Sequence, residues 1–318
     1  MTLTEARKLY LCTDKIYHIV RRIMQLNAGC ELLFEAQGPT PLVLMLRPRS
    51  GAGQWIIREE YHITPAVNIT EFTDMYGNLC QRVVAPEGPF SIHFSATVQT
   101  ADFIDVAPGA PYTPVEDLPD DVLHYTLPSR YCQSDQLGGL AAQITSIAEP
   151  GYDQADAIRR WIHDNIRYEY GTSDASTSAV DTATQRVGVC RDFTHLGISL
   201  CRALNIPARM VVGYLYELKP MDLHAWFEGY VDGRWFTFDA TQKQPRGNRI
   251  TVAYGRDAAD VAFTTQFGPM VLHKMKVWVN ATQADAIQSG TDDAEKKMED
   301  VTTLTASVGS NDQTQTRR

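Results

Sequence analysis

Phe90, Ile92, Phe94, Ala96 and Val98 alternate with Ser91, His93, Ser95, Thr97 and Gln99, the period-two rhythm of a strand buried on one face. Segments 42–46, 54–63 and 67–72 have strand-like composition, and Tyr76-Gly-Asn78 marks a turn into another strand at 80–84. Strand-like sequence starts just after Met24, so residues 24–107 are predicted to form a β-rich N-terminal domain of sandwich type. Pro108, Pro111, Pro114 and Pro119 then break the pattern, which makes 108–130 an interdomain linker.

Beyond the linker the period becomes helical. Leu137, Leu140, Ala141, Ile144 and Ile147 predict a helix over 134–148, and Ile158, Trp161 and Ile162 another over 153–165. Phe193, Leu196, Leu200 and Leu204 recur at spacings of three, four and four, a third buried stripe that Asn205 and Pro207 terminate. Gly197 interrupts that stripe at a cost of about 1 kcal/mol relative to alanine. Strands predicted at 208–218, 224–231, 234–241, 250–254 and 270–279 complete an α+β domain spanning 131–280. Residues 1–23 carry Arg7, Lys8, Asp14, Lys15, Arg21 and Arg22 among short apolar pieces and are read as an extension outside the fold; they lack the continuous apolar region of a signal peptide. Residues 281–318, polar and poor in large apolar side chains, are expected to be disordered.

Length and composition set outer limits. The chain has 318 residues, enough for two hydrophobic cores, with 44% hydrophobic and 21% charged residues. A net charge of -9 disfavours nucleic acid and anionic membrane surfaces as partners, since both select clustered Lys and Arg. No stretch is long and apolar enough to span a bilayer. Cys12, Cys30, Cys80, Cys132, Cys190 and Cys201 are scattered without a CxxC pair, which suits free thiols in a reducing, cytoplasmic setting. Neither a cofactor nor a metal is implied. Cys190, His195 and Cys201 share one helix, but Cys201 lies about 16 Å along its axis from Cys190 and His195 points about 140° away. His195 and Cys201 are therefore expected to pack as ordinary helix residues.

The chemistry concentrates at three positions. Cys190 follows Gly188, which lets the chain turn tightly, and falls in the first helical turn, where free N–H groups and the helix dipole favour a thiolate. Asp232-Gly233 between two strand-like runs predicts a two-residue hairpin with Val231 opposite Arg234. That register puts Ala225, Phe227, Phe236, Phe238 and Ala240 on one apolar face, and His224, Trp226, Glu228, Thr237 and Asp239 on the other. His224 and Asp239 become diagonal neighbours, close enough for the carboxylate to orient the imidazole. Taken singly, each of the three residues has an ordinary structural reading. Their agreement in order, context and geometry points to a Cys190–His224–Asp239 triad.

Gly188-Val-Cys190-Arg-Asp-Phe193, Asn205-Ile-Pro-Ala-Arg-Met-Val-Val-Gly213-Tyr, His224-Ala-Trp-Phe-Glu228 and Trp235-Phe-Thr-Phe-Asp239-Ala-Thr together resemble the bacterial transglutaminase-like superfamily. The segment 252–261 resembles the stretch after the triad in members with an extra N-terminal β domain. The resemblance implies a papain-like α+β core preceded by that β domain, with Cys190 as nucleophile, His224 as base and acid, and Asp239 as its orienter. Ala240 departs from the proline that commonly follows the aspartate. In such a site sulfur attacks a carboxamide carbon, and the backbone N–H of Cys190 with one further donor holds the oxyanion. Tyr168, Tyr170 and Gln185 are the candidate donors. Water as acceptor gives a cysteine peptidase or amidase; a lysine amine gives a protein-glutamine gamma-glutamyltransferase. Hydrolysis is favoured, because crosslinking needs a site that excludes water and holds an amine. The substrate is then a peptide or protein. A third reading, a binding module of the same fold without chemistry, is disfavoured by the complete triad.

Overall fold

The computed structural model describes residues 23–51, 53–282 and 314–316, and its first half is built by the alternation noted above. Six strands come first: β1 (Ile23–Ala36), β2 (Thr40–Leu44), β3 (Gln54–Thr64), β4 (Thr70–Thr73), β5 (Leu79–Ala85) and β6 (Gly88–Ala101). β1 and β6 run antiparallel over their full lengths, from Ile23 opposite Ala101 to Ala36 opposite Gly88. Leu26, Ala28, Cys30, Leu32 and Phe34 of β1 and Phe90, Ile92, Phe94, Ala96 and Val98 of β6 are buried with Leu42, Leu44 and Val83 in one continuous apolar cluster. A sandwich-like β unit results, as the alternation predicts.

The chain then passes through 102–130, which is docked rather than free. Tyr152 N–H donates to the Ala110 carbonyl at 3.0 Å, and Arg234 pairs with Asp105 at 3.0 Å. The turn α1 (Asp120–Leu123) buries Val122 beside Leu118 and Tyr230. Next come α2 (Gly138–Ile144), α3 (Tyr152–Asn165), β7 (Arg167–Tyr168), α4 (Ala179–Gln185), β8 (Val187–Gly188) and α5 (Cys190–Ala203). The helix expected over 134–148 is thus much shorter: Ser134–Gln136 forms a separate 3-10 turn, two glycines open α2, and Ile147 stands in solvent instead of completing the stripe.

β9 (Ala208–Leu215), β10 (His224–Val231), β11 (Arg234–Phe238) and β12 (Arg249–Gly255) form the second main sheet, in the order β11-β10-β9-β12. α5 lies on β10, and Gly197 packs directly against it: a Cβ there would sit 2.4 Å from the Phe227 ring. The glycine that weakens the helical pattern is the one that admits the sheet. After Gly255 the chain returns to the β unit through β13 (Thr264–Gln266), which pairs with β2, and β14 (Met270–Ala281), which pairs with β1. The strand expected at 270–279 is present, but it belongs to the sheet of β1 and not to the sheet of β9 to β12. Ala281 closes β14, Thr282 N–H donates to the Gln25 carbonyl at 2.9 Å, and β15 (Thr314–Thr316) runs parallel to β13. These residues correct the expectation of disorder throughout 281–318. Ile23 opens β1 and so belongs to the fold rather than to the extension expected over 1–23; the rest of that extension, 1–22, and the rest of the tail lie outside the described residues. Among the described residues no helix is long and apolar enough to cross a membrane.

Candidate active site

The hairpin register is the one its turn predicts, with Val231 opposite Arg234, Glu228 opposite Thr237 and Phe227 opposite Phe238. Asp232 and Gly233 both adopt positive φ, 49° and 75°, as a tight two-residue hairpin requires. His224 at the start of β10 and Asp239 just past β11 consequently meet: His224 Nε2 lies 2.8 Å from Asp239 Oδ2. Both side chains are buried, and with Nε2 committed to the carboxylate, Nδ1 is the ring nitrogen left to exchange a proton with a thiol.

Asp239 is held from several sides. Arg249 Nη2 donates to Oδ2 at 2.8 Å, and Thr241 donates to Oδ1 through its hydroxyl at 2.7 Å and its N–H at 2.9 Å. Burial alone would raise this carboxyl, but the charges of His224 and Arg249 and the hydrogen bonds outweigh it and hold Asp239 well below the usual carboxylate range. Sequence reasoning missed Arg249 and Thr241 as its anchors. Thr241 stands in the quoted motif two residues after the aspartate, whereas Arg249 comes close only through sheet pairing.

Cys190 occupies the first turn of α5, as expected, and is buried. Its electrostatics differ from expectation. Burial, with Asp222 nearby, pushes the thiol up to about 12, and the Ala225 N–H only partly opposes this. Burial is the largest influence, and the nearby carboxylates of Asp222 and Asp192 add to it. Asp192 accepts the Val189 N–H at 2.8 Å and is itself held by Arg191. Gly188 serves this cap: a Cβ there would lie 2.7 Å from Asp192 Cβ, so the glycine provides room rather than an unusual turn. Burial thus favours the neutral thiol at Cys190.

Two of the three candidate oxyanion donors border the thiol. The Tyr168 ring meets Phe193 of α5 with centroids 5.7 Å apart and Tyr170 at 5.5 Å. Burial, the Cys190 sulfur and Tyr170 raise the Tyr168 phenol, so it stays a hydroxyl donor. Gln185 ends α4 and is exposed. His195 and Cys201 are core residues: His195 stacks on Tyr131 at 5.0 Å and its Nε2 accepts the Ala258 N–H at 3.1 Å.

A buried cysteine at a helix start, set against a strand that presents a carboxylate-oriented histidine, is the arrangement of thiol acyl-transfer enzymes. Residues 138–240 match the transglutaminase-like superfamily, and residues 38–100 match the bacterial transglutaminase-like N-terminal region. The crystal structure of a proposed cysteine protease from Cytophaga hutchinsonii is 38% identical, covers 82% of this chain and 91% of its own, and superposes with a TM-score of 0.76. An uncharacterized Mycobacterium leprae protein is 27% identical over 234 residues, covering 68% of this chain and 82% of that protein. A Mycobacterium tuberculosis relative, also uncharacterized, is 27% identical over 257 residues, or 77% of its length. The chain belongs to the transglutaminase-like superfamily and carries the bacterial N-terminal β region that accompanies the core.

Proposed function

We propose that the protein is a cysteine peptidase or amidase that cleaves peptide or carboxamide bonds through Cys190, His224 and Asp239. The observation that carries this reading is the 2.8 Å contact between His224 Nε2 and an Asp239 carboxylate fixed by Arg249 and Thr241, with the N–H of Ala225, the next residue after His224, interacting with the Cys190 thiol. A histidine anchored in this way has one nitrogen free for proton transfer and a fixed negative charge to balance the imidazolium it becomes. Because Cys190 rests as a thiol, His224 Nδ1 takes the proton as sulfur bonds to the carbonyl carbon. The oxyanion is received by the Cys190 N–H, with the Tyr168 hydroxyl as the second donor. Collapse breaks the C–N bond, and the departing amine takes the proton from His224. Water then attacks the thioester, losing a proton to His224, and the acid leaves as the thiol is restored.

Hydrolysis is the preferred outcome because water needs no dedicated site, and the 38% identical Cytophaga protein is itself described as a proposed cysteine protease. Profiling one peptide library with and without an added primary amine, with mass-spectrometric readout, tests this. Cleavage products in both arms support a hydrolase; amine-dependent transamidation products with little cleavage would assign a transglutaminase instead.

A further inference from the structure

β12 is the edge strand of the catalytic sheet, and its outward backbone groups would otherwise need water or another strand. They are taken by side chains of the N-terminal β unit. Thr100 Oγ1, at the end of β6, donates to the Arg249 carbonyl at 2.7 Å. The Gln54 carboxamide, at the start of β3, donates to the Thr251 carbonyl at 2.8 Å and accepts the Thr251 N–H at 2.8 Å. The Asn78 carboxamide repeats this at Tyr254, at 2.7 Å and 2.8 Å. Each amide takes both backbone groups of one residue, as a neighbouring strand would.

The segment leading into β12 is pinned as tightly. Asn248, at φ 54°, donates its N–H to the Ala101 carbonyl at 2.7 Å. Gly247 runs so close to Asp102 and Phe103 that a Cβ would sit 2.0 Å from the Asp102 carbonyl carbon. Arg249, the first residue of β12, is therefore held by the β unit at its carbonyl and through the N–H of Asn248 before it, while its guanidinium reaches Asp239 at 2.8 Å.

We infer that the N-terminal β unit positions the catalytic histidine: through Thr100, Ala101 and Gln54 it holds β12 where Arg249 can anchor Asp239, and Asp239 in turn orients His224. The inference rests on the triad reading above. Thr100, Gln54 and Arg249 are positioning residues, since they act on His224 only through Asp239. The unit is thus part of the working enzyme and not an appended module.

Thr100→Val in the full chain keeps the shape of the buried side chain and removes the hydroxyl donor. The expected result is a fall in kcat of about tenfold with KM little changed, and recovery in Thr100→Ser, which restores the donor. Rates are compared at a temperature where circular dichroism shows each variant folded, which separates misplacement from unfolding. Gln54→Met, which removes both bonds to Thr251, serves as the second variant with the same expectation. Wild-type kcat in folded Thr100→Val and Gln54→Met would overturn the inference, as would an effect confined to KM. Unfolding of both variants would also overturn it, because the seam would then hold the fold and not the site. Cys190→Ala is assayed in parallel. If it retains turnover the triad reading itself fails, whereas an inactive Cys190→Ala beside a fully active Thr100→Val rejects only the role of the β unit.

Discussion

Replacing Asp239 with asparagine removes one charge from a place where four donors converge. His224 Nε2 and Arg249 Nη2 each lie 2.8 Å from Oδ2, and Thr241 supplies two bonds to Oδ1. An amide has one acceptor oxygen and one NH2 group, so whichever way it turns, donors face donors. If the NH2 faces His224, Nε2 must become an acceptor and Nδ1 carries the proton, the wrong tautomer to receive one from Cys190. If the oxygen faces His224, the imidazolium still forms without its counter-charge and beside the Arg249 cation. Unit charges 2.8 Å apart attract by about 6 kcal/mol at an effective dielectric constant of about 20. Retaining a hydrogen bond to the neutral amide leaves a barrier increase of about 4–5 kcal/mol, or about 10³–10⁴ in kcat. The same variant strands the buried Arg249 guanidinium and is expected to lose about 3–5 kcal/mol of stability in urea unfolding. Adding Arg249→Met removes the stranded charge, so the double variant should regain part of the stability and none of the activity. Steady-state kinetics on a peptide taken from the library, with urea melts of all three proteins, gives both readouts. A kcat within tenfold of wild type, or a change confined to KM, would show that the Asp239 charge does not support His224 in the rate-limiting step.

Two further predictions concern the core. Gly197→Ala should destabilise the fold by about 1–3 kcal/mol despite its better helix propensity, because the new Cβ meets the Phe227 ring, and a urea midpoint at or above wild type would reject that packing argument. His195 is buried, and that burial, with Arg191 and Arg202, lowers it well below its ordinary value, so the folded chain keeps it neutral while the unfolded chain protonates it near pH 6.5. The unfolded state then binds more protons, and stability present above pH 6.5 is lost as pH falls, by about 1.4 kcal/mol per pH unit for this group. His195→Gln keeps an acceptor toward the Ala258 N–H and should flatten the decline in urea midpoint between pH 6.5 and pH 5; an unchanged slope would contradict it.

The parts of the site fixed by local geometry were legible in the sequence. Asp232-Gly233 dictates the hairpin, and the hairpin dictates that His224 and Asp239 meet. Strand alternation likewise marked β6, and the helical stripe marked α5. What was not legible depends on pairing between distant segments. β14 has the composition of any half-buried strand, and nothing local says that it pairs with β1, some 250 residues earlier. Arg249 carries no motif and becomes an anchor only because β12 lies beside β9. The setting of Cys190 depends on distant segments in the same way: the dipole argument suits an exposed helix start, but burial, with Asp222 beside the thiol, pushes it up.

In the proposed mechanism Cys190 forms the bond to the substrate's acyl group. Intact-protein and peptide-level mass spectrometry of acid-quenched turnover mixtures tests it directly. The expected result is an acyl adduct in the wild-type protein that maps to Cys190, is lost in His224→Gln, which lacks the base for the thiol proton, and is absent from a folded, inactive Cys190→Ala. An adduct on another residue, or turnover by Cys190→Ala at a rate comparable to wild type, would contradict it.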